Sequence, residues 1–241
     1  MEGYDVYQDI SERTEGCIYI GVVGPVRTGK STFIKRFMDL LVLPNMDNEF
    51  KRERTRDELP QSANGKTIMT TEPKFVPNEP IELTLRENAK FKVRLVDCVG
   101  YLVEGAMGHL EDNSPRMVNT PWFEDRIPFE EAAEIGTRKV IADHSTIGLV
   151  VTTDGSITDL PRRSYIEAEE RVIKELKELE KPFIVALNSA RPKAQETIEL
   201  REALETKYNT PVMIIDALKM EMGDLEGILG KILFEFPARE I

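Results

Sequence analysis

Long apolar runs are missing from this chain. No stretch approaches the ~20 consecutive apolar residues that a membrane-spanning helix requires, so any work at a membrane needs something else to hold the protein there. Cysteine is scarce. Cys17 and Cys98 both lie in apolar, strand-like runs, which suit neither a disulfide framework nor a zinc site and point to a reducing cytosol. Only two histidines occur, His109 and His144, without a partner at ligand spacing; both read as structural or exposed. Positive charge is in deficit, with 32 Lys and Arg against 43 Asp and Glu, a formal net charge of -11. Such a surface repels phosphate backbones and anionic headgroups at long range, which argues against a nucleic-acid partner. The first residues, MEGYDVYQDISERTEG, are polar and acidic, unlike a signal peptide.

What remains is ordinary globular material. The 241 residues are 41% hydrophobic and 31% charged, enough for one sizeable α/β domain. Short apolar runs alternate with amphipathic segments, the pattern of a mostly parallel sheet covered by helices. Strands are expected at 18–23, 81–86, 91–97, 147–152, 183–188 and 212–215, and helices at 30–41, 129–142, 164–179, 194–207 and 224–234. Ser164 and Glu167 have the spacing of a capping box, and Glu170 and Lys174 that of a favourable i,i+4 pair. Ile166, Ile173, Leu176 and Leu179 are expected to face the sheet. Two segments, about 44–79 and 98–128, are too long for plain connections.

GPVRTGKST, Gly24 to Thr32, follows a strand and opens a helix. It matches G-x-x-x-x-G-K-[ST], a phosphate cradle. Gly24 and Gly29 allow close backbone approach, while Pro25, Val26, Arg27, Thr28 and Thr32 complete the loop and helix start. Lys30 can reach β- and γ-phosphates, and the Ser31 hydroxyl can ligate Mg²⁺. The strand FKVRLVD ends in Asp97, placed to hold the same metal, and the Gly100 amide in the following D-x-x-G is suited to sense a γ-phosphate. Between the two lies GKTIMTTEPKF, where Thr70 or Thr71, with Thr67 behind them, is the candidate to close over the metal.

These motifs, in this order, resemble the translation-factor-related class of P-loop GTPases. That resemblance implies an α/β fold with a six-stranded, mostly parallel sheet, one antiparallel strand and helices on both faces. The two long segments then become switch I and switch II. At the base-reading position, however, the chain has Asn188-Ser189-Ala190-Arg191 instead of Asn-Lys-x-Asp. Arg191 carries only donors, so it cannot accept from guanine N1–H and N2–H₂. The fifth motif, at Asp216-Ala217-Leu218, is eroded too. Adenine preference, or little base preference, follows; the other reading places the true base contact elsewhere.

Tyr101 occupies the place where many GTPases carry a water-orienting Gln, so slow turnover is expected. Arg27 is the candidate to supply positive charge between β- and γ-phosphates, a kind of contribution worth about 10³–10⁵ in rate; its alternative is a solvent-facing loop arginine. Pro121, Trp122 and Phe123 form either a partner-docking cluster or a local core for their own loop. Cys98 reads as a small apolar neighbour of Asp97.

GVVGPVRTGKSTFIKRFMDLLVLPN, DELPQSANGKTIMTTEPKFVPNEP, VRLVDCVGY and EEAAEIGTRKVIADHSTIGLVVTTDGSI resemble the stage IV sporulation protein A family. SYIEAEERVIKELKELEKPF and the late EFP extend the match over essentially the whole chain. The resemblance implies an ATPase using ATP and Mg²⁺, with Lys30 as the Walker A lysine, Asp97 as the Walker B acid, and Thr70 and Thr71 as sensor threonines. It further implies irreversible, ATP-fuelled self-assembly into the basement layer of the spore coat, among other coat proteins. The place implied is the mother-cell face of the outer forespore membrane, reached indirectly through a small amphipathic peptide, stage V sporulation protein M. Family proteins are longer, so residues 1–241 correspond to the N-terminal ATPase domain without the later domains. Two alternatives stand beside this: a switch GTPase with a degenerate base motif, and a nucleotide-binding module without turnover.

Overall fold

The computed structural model describes residues 17–46, 48–57, 59, 73–85, 89–111 and 114–235. Its centre is a six-stranded sheet in the order β10-β9-β8-β1-β3-β2. The strands are β1 (Cys17–Val23), β2 (Lys74–Leu85), β3 (Ala89–Asp97), β8 (Ile147–Thr153), β9 (Phe183–Asn188) and β10 (Val212–Ile215). All pair in parallel except β2, which runs antiparallel to β3. β8 and β9 are buried at every position, which is why they read as unbroken apolar runs and not as alternating ones.

Alternate residues of each central strand feed two cores. Ile147, Leu149 and Val151 join one cluster with Phe33, Ile34 and Phe37 of α1 (Lys30–Phe37) and Leu225, Ile228 and Ile232 of α6 (Met222–Phe234). Val150 faces the other, with α3 (Phe129–Lys139), α4 (Ile166–Glu178) and α5 (Gln195–Tyr208). Helices thus cover both faces, as expected for the class.

Several local expectations need correction. β2 begins at Lys74, seven residues before the expected start at 81, because Lys74, Phe75 and Val76 already pair with Asp97, Val96 and Leu95. A register shift between Val76 and Ile81 hides that continuity from a period-two pattern. The segment 44–79 also contains α2 (Glu49–Asp57), whose sequence EFKRERTRD lacks an apolar stripe and buries only Thr55. Charge supports it: Glu49 lies in the first turn and Arg54 and Arg56 in the last, complementing the helix dipole. Segment 98–128 folds into two small hairpins, β4 (Leu110–Glu111) with β5 (Ser114–Pro115), and β6 (Met117–Thr120) with β7 (Phe123–Pro128).

The capping box expected at Ser164 does not form. Arg162–Tyr165 is a 3₁₀ turn, and α4 starts at Ile166 without a side-chain cap. Glu170 pairs with Lys207 of α5, and Lys174 with Glu178. Ile166 and Leu179 are exposed, while Ala168, Val172, Ile173 and Leu176 fill the sheet face. The helix thus starts two residues later than expected. A reciprocal cap does occur at α6, between Glu221 and Asp224. Two helices end differently from their apolar patterns: α1 passes into a π-helical turn at Met38–Val42, and α3 into another at Val140–His144. Ser145 Oγ donates to the Val140 carbonyl at 2.8 Å and helps close the second.

Candidate nucleotide site

A parallel sheet gathers its functional groups at the carboxyl ends of its strands. Here the Gly24–Ser31 loop leaves β1, Asp97 ends β3, Asp154 follows β8, Asn188 ends β9 and Asp216 follows β10. Five segments far apart in sequence thus converge at one edge.

The loop's backbone requires its glycines. Gly29 has φ of 94°, and a Cβ there would lie 2.3 Å from Asn188 Nδ2. Asn188 is the brace: its Nδ2 donates to the Thr28 carbonyl at 3.0 Å, and its Oδ1 accepts from the Ala217 amide at 3.0 Å. It joins the loop after β1 to the loop after β10. Thr28 is fully buried and its hydroxyl donates to the Pro25 carbonyl at 3.0 Å. Pro25 and Val26 are buried, and Thr32 stands half-buried in the first turn of α1.

Lys30 is buried, with Nζ donating to the carbonyls of Pro25 at 2.6 Å and Gly24 at 3.3 Å. Burial pulls its pKa down. Ser31 Oγ donates to Asp97 Oδ2 at 3.1 Å, while Asp97 Oδ1 is buried without a partner. Burial pushes Asp97 up to about 6, against the opposing pull of Lys30 and the Ser31 hydrogen bond. Both ions are therefore held in a setting that disfavours their charged forms. A polyanion beside Lys30 and a cation beside Asp97 would relieve both penalties. Oδ1, which has no partner among the described residues, and the adjacent hydroxyl form an oxygen donor set that suits Mg²⁺, so the residues fit that metal. Beside them, burial raises the Cys98 thiol to about 11 and keeps it protonated.

Gly100, with φ of 91°, lies against the cradle: a Cβ would approach Gly24 O to 2.2 Å and Lys30 Nζ to 2.5 Å. Its amide, expected to face a γ-phosphate, donates instead to Thr137 Oγ1 at 3.2 Å. The next residue clamps the loop, since Val26 N donates to Tyr101 O at 2.9 Å. Tyr101 itself is buried, its hydroxyl donating to Glu175 and its ring 4.3 Å from the Arg171 guanidinium. Gly100→Ala is expected to weaken nucleotide binding at least about tenfold by pushing this segment off the cradle; unchanged affinity in a fluorescent-nucleotide titration would show that the contact is not needed.

Arg27 sits in the left-handed region at φ of 61°, and its guanidinium pairs with Asp159 at 2.6 Å. This pair holds the side chain beside the cradle, so Arg27 is not the freely solvent-facing arginine of the alternative reading. Arg191 is exposed. Ser189, in the place of the base-stacking lysine, is fully buried, with its hydroxyl donating to Asp154 Oδ2 at 2.6 Å. Thr67, Thr70 and Thr71 lie outside the described residues.

Sequence reasoning passed over Asp154, Asp159 and the Arg162–Glu169 pair. For Asp154 a signal existed: an acidic residue just past an apolar strand, the same feature that singled out Asp97. Trp122 packs on α3, where a Cβ on Gly136 would meet it at 3.2 Å and Lys139 Nζ lies 5.8 Å from its ring. This supports the local-core reading. His144 stacks edge-on against Phe75 at 5.4 Å. A cavity of 440 Å³ beyond Tyr101 is lined by Glu104, Glu130, Glu134 and Glu167 beside Arg171 and His109; its carboxylates make it unsuited to a triphosphate.

The family model described as stage IV sporulation protein A, ATPase domain, matches residues 1–237. The chain belongs to the stage IV sporulation protein A family. Three curated family members agree. The Clostridioides difficile (strain 630) protein is 60% identical over 237 residues, covering 98% of this chain and 48% of that protein. The Bacillus subtilis (strain 168) protein is 59% identical and the Bacillus anthracis protein 57% identical, each over 241 residues, all of this chain and 49% of theirs. The chain thus spans about half the length of these relatives. In fold it is similar to the crystal structure of a mutation variant of SsGBP, at 15% identity and a TM-score of 0.50, covering 93% of this chain and 58% of that one. Among the described residues, no helix is long and apolar enough to cross a membrane.

Proposed function

We propose that this family member binds and hydrolyses ATP, and that hydrolysis drives self-assembly of the spore coat basement layer on the forespore surface. One cluster carries the reading: desolvated Lys30, Ser31 and Asp97 with an open carboxylate oxygen, at the carboxyl edge of a parallel sheet. Lys30 exchanges its two carbonyl partners for phosphate oxygens. Ser31 and Asp97 would hold Mg²⁺, which would neutralise charge on the transferring phosphoryl group. The backbone of the cradle orients the phosphates through its amides.

Adenine is the base this site favours. Guanine reading needs a carboxylate on the turn after β9, and the residue there is the exposed, donor-only Arg191. Losing such a polar partner forfeits discrimination of about 10⁴–10⁵. Thr70 and Thr71 join the catalytic set by family resemblance, and Arg27, held by Asp159, by its place in the phosphate loop. The partners are further copies of the protein, engaged with the help of the later domains, other coat proteins, and the small amphipathic peptide stage V sporulation protein M. That peptide brings the protein to the outer forespore membrane from the mother-cell cytoplasm.

A second reading is favoured by Tyr101, whose buried, anchored side chain stands where a mobile glutamine would orient water. In that case this part of the protein holds nucleotide, and catalysis awaits the rest of the chain. Phosphate release from ATP with Mg²⁺, under rising GTP and beside Lys30→Ala, separates the readings. The expected result is slow ATP turnover, weak competition by GTP and at least about a hundredfold loss in Lys30→Ala. Preferred GTP turnover would restore the switch-GTPase reading, and binding of ATP without release would leave the holding module.

A further inference from the structure

We infer that Asp154 is a positioning residue that sets base preference, by locking the 189–191 turn into one hydrogen-bonded arrangement. The inference rests on the nucleotide-site reading above and assigns a mechanism to its specificity. Asp154 lies just past β8, and its carboxylate accepts at both oxygens. Ser156 N and Oγ donate to Oδ1 at 2.9 and 2.6 Å. Ser189 Oγ donates to Oδ2 at 2.6 Å, and Thr197 Oγ1 of α5 lies 3.1 Å from the same oxygen.

The direction of these bonds decides what the turn can do. A carboxylate only accepts. It therefore takes the single proton of each serine hydroxyl, leaving both serine oxygens to accept from the turn. Ala190 N donates to Ser156 Oγ at 2.8 Å, and Arg191 N donates to Ser189 Oγ at 2.9 Å. Two consecutive amides beside the base position are thereby fixed through hydroxyls that only a carboxylate orients. Burial pushes the Asp154 carboxyl up, but the hydrogen bonds from Ser156, Ser189 and Thr197 outweigh it and hold the group below its ordinary range. The charge that this arrangement needs is thus maintained.

The same loop is anchored at its far side. Asp159 holds Arg27 of the phosphate cradle. Arg162 NH1 donates to the Thr153 carbonyl at 3.3 Å and forms a two-pronged pair with buried Glu169. One short loop therefore fixes both the base turn and the phosphate loop. A lysine at 189, as in guanine readers, offers no oxygen to accept from Arg191 N, so Ser189 and Asp154 function as a pair.

Asp154→Asn keeps the shape and replaces one acceptor by a donor, so one serine hydroxyl loses the group that takes its proton and no longer has a fixed orientation toward its amide. Affinities for ATP and GTP should be measured by displacing a fluorescent ATP analogue from wild type, Asp154→Asn and Ser189→Ala, with melting temperatures recorded alongside. Asp154→Asn is expected to weaken ATP by about tenfold or more and to shrink the ATP-to-GTP affinity ratio at least about fivefold. KM should rise while kcat at saturation stays within about twofold, the mark of lost ground-state positioning. Ser189→Ala, which alters only one hydroxyl, should shift the ratio the same way by about threefold. If ATP and GTP weaken equally in both variants, or the ratio is unchanged while melting falls, Asp154 is merely structural and the inference fails alone. A wild type that prefers GTP overturns the adenine reading, while a shifted ratio in the variants still upholds Asp154. Binding of neither nucleotide overturns both.

Discussion

Asp97→Asn is expected to make the nucleotide-free protein more stable at pH 7 while removing Mg²⁺-dependent turnover. Burial raises the Asp97 carboxyl from its ordinary value near 3.8 to about 6. A carboxyl whose folded value lies above its unfolded one contributes stability below the unfolded value, and that contribution is lost as pH rises through the folded value. At pH 7 the ionised group therefore costs roughly 2–3 kcal/mol, at about 1.4 kcal/mol per unit. An amide avoids the penalty and still accepts from Ser31 Oγ. Melting should rise by roughly 4–12 °C at pH 7 for a chain of this size, and the gain should vanish near pH 4. Thermal melts of both proteins between pH 4 and 8 test this; a variant that melts lower at pH 7, or a gain independent of pH, would count against it. Turnover should fall at least about a hundredfold, because the amide cannot replace the charged metal ligand. The same burial that destabilises Asp97 is what makes its open oxygen a strong partner for a cation.

Glu169→Ala should act in the opposite direction. Glu169 is fully buried in α4 and accepts from Arg162 at 2.6 and 2.7 Å, from Tyr208 at 2.7 Å, and from Thr152. Removing it takes the charged partner from a half-buried guanidinium, which keeps its bonds to Thr152 Oγ1 and the Thr153 carbonyl, and the acceptor from the Tyr208 and Thr152 hydroxyls. Breaking a buried pair in this way costs about 3–5 kcal/mol. A urea unfolding midpoint should fall accordingly, and nucleotide affinity should fall with it, since Arg162 anchors the loop bearing Asp154 and Asp159. A loss below about 1 kcal/mol would show that water or rearrangement compensates the pair. Glu169→Gln, which keeps the shape, should recover part of the loss.

The sheet was legible because its strands are written as apolar runs bounded by turn residues, and because a parallel strand buried on both faces has no other reading. The cradle was legible for a different reason. Its glycines, lysine and serine act through local backbone geometry, and consecutive residues suffice to specify it. The elements that escaped are those without a hydrophobic period. α2 is held by charge at its ends, the start of β2 is disguised by a register shift, and the hairpins of 98–128 are too short for alternation to show. The start of α4 misled because a capping pattern at Ser164 competes with the 3₁₀ turn that lets Arg162 reach Glu169.

Residue identity alone determined the family, the phosphate loop, the acid at the end of β3 and the absence of a carboxylate at position 191. It could not determine what replaces that carboxylate. Asp154, Ser189 and Thr197 come from three separate segments and meet only because β8 and β9 pair in parallel and end side by side. The same holds for Asn188, which braces Thr28 across 160 positions of chain. Hydrogen bonds of this kind depend on register and on the direction in which each proton points. Those are properties of packed strand ends, and tertiary structure decided them.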